Sequence, residues 1–214
     1  MFPKTAGILH RIPELFRALM RKFGPAFIAL IFLCLAASAS ALTVVIDPGH
    51  GGHDRGGGPG QRIPEKPYTL DIAQRLQSVL RNAGYRTVMT RSGDYFVTLA
   101  GRCAIANSQR NAIFVSVHLN SGQREGANGI ETYFYSSRSA ALAAAIHARV
   151  VRAAGTENRG LRRRAFYVIR RTGIPAVLVE CGFLTNRAEA SRLLTASHRQ
   201  RLAEAIAAGV RARY

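Results

Sequence analysis

Between residues 42 and 214 the chain alternates short, β-branched apolar runs with segments of helical spacing, and this alternation narrows the fold more than any other feature. Leu42–Ile46, Tyr85–Thr90, Ala112–His118, Ile130–Tyr135, Ala165–Ile169 and Ala176–Glu180 read as strands. Helical spacing occupies Tyr68–Asn82, Leu99–Gln109, Ser139–Ala153, Arg187–Leu194 and His198–Arg213. In the first of these helices Leu70, Ala73, Leu76, Val79 and Leu80 line one face, Pro67 suits the opening position, and Gly84 stands where a helix ends. The pattern predicts one α/β domain with a mostly parallel sheet of about six strands flanked by about five helices. No internal repeat or low-complexity tract interrupts it.

The first forty residues have another character. Phe23–Ala37 is uncharged and strongly apolar, Arg21 and Lys22 precede it, and the small-residue pattern Ala37-Ser38-Ala39-Ser40-Ala41 follows. This order predicts a secretory signal peptide over residues 1–41, ahead of one folded domain over 42–214. The apolar block is shorter than the roughly 20 residues that a spanning helix needs, so an uncleaved anchor is the weaker alternative. Met20-Arg21-Lys22 would itself open a well-formed signal, which places the expected true start at Met20. Leu33 occupies the position before Cys34 where a lipoprotein site requires a small residue. The product is therefore expected outside the cytoplasm, in the periplasm or extracellular envelope.

Export changes the meaning of the charge. The chain carries 30 Lys+Arg against 12 Asp+Glu, net +18. Removing residues 1–41 takes five bases and one acid with it and leaves 25 against 11, net +14. Such a charge invites nucleic acid. However, the arginines are scattered, the one dense run is Arg162-Arg163-Arg164, and an exported protein meets little nucleic acid, so no specific nucleic-acid partner is expected. An anionic envelope surface suits the charge equally well, and so does a compositional bias, since 24 of the 25 remaining bases are arginine. Cys103 and Cys181 either pair in the oxidising compartment or stand as two separate buried thiols.

In open α/β sheets, sites form outside the carboxyl ends of the strands. The first strand runs into Asp47-Pro48-Gly49-His50-Gly51-Gly52, the third ends Ser116-Val117-His118-Leu119-Asn120, and the last ends Val179-Glu180-Cys181-Gly182. Glu65 lies in a polar loop able to fold back over the same crevice. Two histidines and a carboxylate make the donor set of an open zinc site, with a fourth position left for water. A further carboxylate must then take the proton of that water, and Glu180, emerging from a buried apolar run, is placed to do so with a raised pKa. Singly, each has a duller explanation as a structural histidine, a helix cap or a turn, and His53 and Asp54 compete as ligands. Composition and spacing stop at a metal hydrolase of unknown substrate.

At these residues the chain resembles the zinc-dependent N-acetylmuramoyl-L-alanine amidases, the type-3 amidase family of bacterial cell-wall hydrolases. The matching segments keep their order along the chain: Ile46–Gly52, Glu65-Lys66, Thr90-Arg91, Leu99 with Arg102, Ala106-Asn107, Phe114–Asn120, Gly129–Tyr133, Arg159–Leu161 and Pro175–Asn186. The resemblance implies one Zn2+ held by His50, Glu65 and His118, with Glu180 as catalytic glutamate. It also implies peptidoglycan as partner and substrate, cut at the amide joining the lactyl group of N-acetylmuramic acid to L-alanine. Asn120 or Arg91 would assist the oxyanion, with turn capping the alternative for Asn120. Division-associated members carry an inserted helix after the second zinc histidine that blocks the metal. Only about forty ordinary residues separate His118 from Arg162 here, so no built-in inhibitory helix is expected and the enzyme is expected to be open and to act as a monomer. The alternatives are another zinc peptidase or carboxypeptidase cutting within the stem peptide, and a non-catalytic wall-binding module.

Overall fold

The computed structural model describes residues 41–58, 61–122 and 126–214; residues 1–40 of the expected signal peptide lie outside them. Strands β1 (Thr43–Pro48), β2 (Arg86–Met89), β3 (Ala112–Asn120), β4 (Ile130–Phe134), β5 (Asn158–Arg163) and β6 (Ala176–Phe183) form one sheet in the order β2-β1-β3-β6-β4-β5. β1 pairs in parallel with both β2 and β3, and β3 pairs in parallel with β6. β4 then runs antiparallel to β6, and β5 is parallel to β4. The central strands are apolar on both faces, as strands covered on both sides must be.

Alternation within each strand sorts the two faces. Val44, Ile46, Val115, Val117, Val177 and Val179 face the long helices α1 (Lys66–Asn82), α3 (Ala140–Ala154) and α6 (Ala196–Arg211). Val45, Phe114, Ala176 and Leu178 face Cys103 and Ala106 of the short α2 (Leu99–Asn107), and Val168 and Ile169 of the shorter α4 (Tyr167–Arg171). Helices of 17, 15 and 16 residues cover the first face, while nine and five residues cover the second. The strand ends of the second face are therefore left open, and that is where Asp47, Ser116, His118, Glu180 and Glu131 point by parity. α5 (Arg187–Leu193) follows β6, its first amides capped by the Asn186 side chain. Cys103 and Cys181 belong to opposite faces and are two separate buried thiols.

One expected strand is absent and another takes its place. Ala165–Ile169 is not a strand; Tyr167–Arg171 is helical, with Val168 and Ile169 adjacent on its buried side. The fifth strand is Asn158–Arg163, whose sequence NRGLRR carries no apolar alternation. It lies at the sheet edge against β4 alone, so its side chains need not be apolar and its backbone supplies the pairing. The added α4 brings the described helices to six rather than about five.

Two predictions follow from the packing of the long helices. At Gly209 of α6, a Cβ would stand 2.5 Å from the Ile146 Cα of α3, against backbone that cannot swing away. Gly209→Ala should therefore destabilise the domain by about 1–3 kcal/mol in urea unfolding, despite the roughly 1 kcal/mol that helix propensity alone would return. Gained stability would mean that the helices part without cost. Asp71 of α1 accepts hydrogen bonds from Arg75 (2.7 Å) and from Arg199 of α6 (2.5 Å). Partial burial works against its charge, but the two guanidinium groups outweigh it and hold the pKa below the usual value. A depressed folded pKa contributes stability above the unfolded value and loses it as pH falls through the folded one. Asp71→Asn should thus be less stable than the parent at pH 7, with the gap closing below about pH 4 in metal-chelated samples; a gap independent of pH counts against this.

Candidate functional site

β1 delivers a buried carboxylate to the open face. Asp47 accepts hydrogen bonds from Thr90 Oγ1 (2.6 Å), Ser116 Oγ (2.7 Å) and the Arg102 guanidinium (2.8 Å). Arg102 reaches up from α2 and also donates to the carbonyls of Pro48 (2.6 Å), Val97 (3.0 Å) and His50 (2.7 Å). Its grip on the His50 carbonyl matters because His50 has φ +62°, a left-handed conformation that costs a side-chain-bearing residue on the order of 1 kcal/mol. The turn presents the imidazole to the crevice, and Asp54 fixes the ring by accepting from Nδ1 at 2.9 Å.

The other nitrogen of His50, Nε2, lies 3.2 Å from Oε2 of Glu65, and His118 Nδ1 lies 3.8 Å from the same oxygen. Glu65 stands at the start of α1, its amide bonded to the Arg55 carbonyl, and its carboxylate also accepts from the Leu119 amide at 3.1 Å. One donor atom from each of His50, Glu65 and His118 falls within 4.8 Å of the others. Glycine makes this packing feasible. A Cβ at Gly49 would meet the His118 ring at 2.4 Å, and one at Gly56 (φ +70°) would meet the His50 ring at 2.6 Å and Glu65 at 2.7 Å.

Burial disfavours the charged forms of Glu65 and His50, but their mutual attraction overrides it. The facing imidazoles of His118 and His50 bring the Glu65 pKa down to about 2, and Glu65 and Asp54 raise that of His50. A carboxylate held ionised between two imidazoles, with one imidazole braced from behind by Asp54, fits the donor set of a three-ligand zinc site.

β6 adds the fourth predicted residue. Register pairs Glu180 with His118 of β3 on one side and with Glu131 of β4 on the other, so three titratable side chains stand in a row across three strands. Glu180 Oε2 is buried with no hydrogen-bond partner. Desolvation first, then repulsion from Glu65 and Glu131, raises the Glu180 pKa well above the usual carboxylate range. Glu131 is also buried, yet donors from Tyr133 (2.6 Å), Asn120 (2.7 Å) and Arg159 (3.3 Å) outweigh its desolvation and lower its pKa. Adjacent carboxyl groups with pKa values pushed apart are the usual arrangement for proton transfer.

The other expected residues are placed differently. Arg91 is fully buried, with its guanidinium committed to the carbonyls of Pro48, Gly49, Lys66 and Gly93. It is a positioning residue for the loop that carries His50, and not a donor facing a reacting carbonyl. Asn120 caps the turn at Ser121 with its carbonyl oxygen and donates to Glu131, so it acts on Glu131. His53 stacks on Phe96 at 4.2 Å, apart from the histidine–glutamate cluster, and Asp54 binds His50 and not the cluster centre. Glu131 went unassigned in the sequence, although it is the acidic residue of an otherwise uncharged strand.

The chain's relatives bear on what this arrangement does. Residues 44–212 match the family model described as N-acetylmuramoyl-L-alanine amidase. The uncharacterised protein YqiI of Bacillus subtilis is 37% identical over 205 residues, covering 92% of this chain and 98% of its own length. N-acetylmuramoyl-L-alanine amidase LytC of the same organism is 39% identical over 168 residues; the match covers 77% of this chain but only 34% of LytC. The catalytic domain of CwlV, an N-acetylmuramoyl-L-alanine amidase from Bacillus (Paenibacillus) polymyxa, superposes with a TM-score of 0.76 at 38% identity, covering 80% of this chain and 97% of that domain. A shared fold over 80% of the chain and a family match spanning nearly every described element lead to one conclusion: the chain belongs to the N-acetylmuramoyl-L-alanine amidase family.

Proposed function

We propose that this protein hydrolyses the amide joining the lactyl group of N-acetylmuramic acid to L-alanine of the peptidoglycan stem peptide, with one Zn2+ held by His50, Glu65 and His118. The observation that carries this reading is the unpartnered Oε2 of Glu180 beside a histidine–glutamate–histidine cluster. Zn2+ bound there would supply Lewis acidity to the scissile carbonyl and to the attacking water. Glu180 takes the proton of that water at Oε2 and returns it to the departing alanine nitrogen, for which a raised pKa suits it. Glu131, kept ionised by Tyr133, Asn120 and Arg159, occupies those donors, which leaves Glu180 without them. Asp54 holds the His50 tautomer that leaves Nε2 free for the metal.

Residues 1–41 act in this reading as a signal peptide and 42–214 as the catalytic domain, working outside the cytoplasm on the wall without an activating partner. The second reading, a zinc peptidase cutting inside the stem peptide, shares the cluster and differs in product.

The zinc-loaded protein should contain about one metal per chain and release intact stem peptides from purified sacculi, leaving unsubstituted muramic acid. Shortened peptides still attached to glycan in the mass spectrum would establish the second reading instead. Glu180→Gln should keep zinc content and fold while losing at least about a hundredfold in turnover; retained turnover would remove Glu180 from the proton path. Asp54→Ala should weaken zinc binding about 10–100-fold in chelator competition. Unchanged affinity would reduce Asp54 to the cap that its Oδ1 provides to the Gly56 amide.

A further inference from the structure

Beside the two histidines, the thinly covered face opens into a cleft of about 370 Å³, with Phe96, Val97 and Leu99 in one wall and Phe166, Tyr167 and Val168 in the other. His50 and His118 themselves line it, so the cleft is continuous with the cluster. Of the seven large hydrophobic residues that stand exposed among those described, four are here: Phe96 (42%), Leu99 (54%), Phe166 (43%) and Tyr167 (44%). That concentration, in a concave place, marks a ligand surface more than scattered exposure does. The rings are held in place, since Phe166 meets Tyr133 edge-on at 4.9 Å and Phe96 rests on His53.

Charge then separates this side of the site from the other. The charged groups lining the cleft are already matched: Asp47 is paired with Arg102 at 2.8 Å, and Asp54 with His50 at 2.9 Å. An anionic occupant would find no free cation there and two carboxylates close by. Beyond Glu131, at the opposite end of the row, Arg159 and Arg162 of β5 share Glu131 (3.3 and 3.6 Å), Arg162 being 43% exposed, and the exposed Arg163 and Arg164 follow, so cations there outnumber carboxylates. A substrate whose scissile amide joins a neutral saccharide to a carboxylate-bearing peptide has two arms of matching character.

We infer that the aromatic cleft seats the glycan arm of the substrate, an N-acetylated saccharide ring lying against Phe96 and Tyr167, while the peptide arm leaves toward β5. This inference rests on the amidase reading above. A pyranose ring presents a face of C–H bonds that is apolar and slightly positive, complementary to the negative face of an aromatic ring. An anionic membrane, which the rings and arginines also suit, is disfavoured because the cleft is concave and its wall includes the two histidines of the site.

The test pairs a binding measurement with a kinetic one on the full mature chain. Neutral oligomers of N-acetylglucosamine are titrated calorimetrically into metal-free protein, and zinc-loaded protein is assayed on a disaccharide-peptide and on a lactoyl-peptide that lacks any sugar ring. Tyr167→Ala and Phe96→Ala should each weaken glycan binding about tenfold, which is what one lost aromatic contact is worth, whereas Arg162→Ala should leave it unchanged. The same two variants should raise KM about tenfold for the disaccharide-peptide, with kcat changed less than about twofold, and should leave the lactoyl-peptide unaffected. Equal effects on both peptides, absence of glycan binding by the parent protein, or loss of binding to anionic phospholipid vesicles in place of glycan would each overturn the assignment. If the parent cleaves neither peptide, the amidase reading falls, and the glycan titration still decides the cleft separately.

Discussion

A carboxylate with no exposed surface lies beneath the site, and the geometry above depends on how its charge is compensated. Burying an ionised carboxyl costs several kcal/mol unless it is paired and hydrogen-bonded. Asp47 is both, through Arg102, Thr90 and Ser116. This draws the Arg102 guanidinium under the β1 turn, where its remaining donors take the carbonyls of Pro48 and His50. Arg91 fastens the same turn through Gly49 and ties it to the start of α1 at Lys66, next to Glu65. Two of the proposed ligands are thus fixed by one pair of buried arginines, and the strained backbone of His50 is held from below by Arg102.

The second organising element is the row across β3, β6 and β4. A purely parallel sheet would place strand carboxyl ends side by side; here β4 is reversed, so a residue near its beginning, Glu131, comes level with Glu180. Glu180 gains a negative neighbour that already has its own donors and offers it no proton. The electrostatic contrast within the pair follows from strand direction and register as much as from residue identity.

Much of this was legible in the sequence where a local rule and a global one agreed. The run Val44-Val45-Ile46 breaking into Asp47-Pro48-Gly49-His50 reads as a buried strand meeting a turn, and so it folds. Gly84 and Gly155 close their helices in left-handed conformations, and Pro67 opens α1. His50, Glu65, His118 and Glu180 stood out as candidates because each sits at a strand end or helix start, and topology brings these to one rim. Less was legible where the cause is tertiary. NRGLRR becomes a strand because an edge is vacant beside β4, and Val168-Ile169 becomes a helix because an exposed face of Phe114 and Leu178 needs covering. Arg91 and Asn120 have the chemistry of oxyanion donors, yet the donors of Arg91 are committed to main-chain carbonyls and the amide of Asn120 to Glu131, a fact of distance that no spacing rule contains.

The reversal of β4 has one more consequence. Because β4 runs against β6, Asn120 and Ile130, the two ends of the β3–β4 connection, stand at the end of the sheet at which β3 and β6 finish. That connection begins and ends on the rim of the His118–Glu180–Glu131 row. Residues inserted there would lengthen no strand and displace no helix, and they would come to lie across the reacting groups. The architecture thus gives evolution a position at which a lid, a plug or a recognition loop can be written over the chemistry while the strands that carry it stay unchanged.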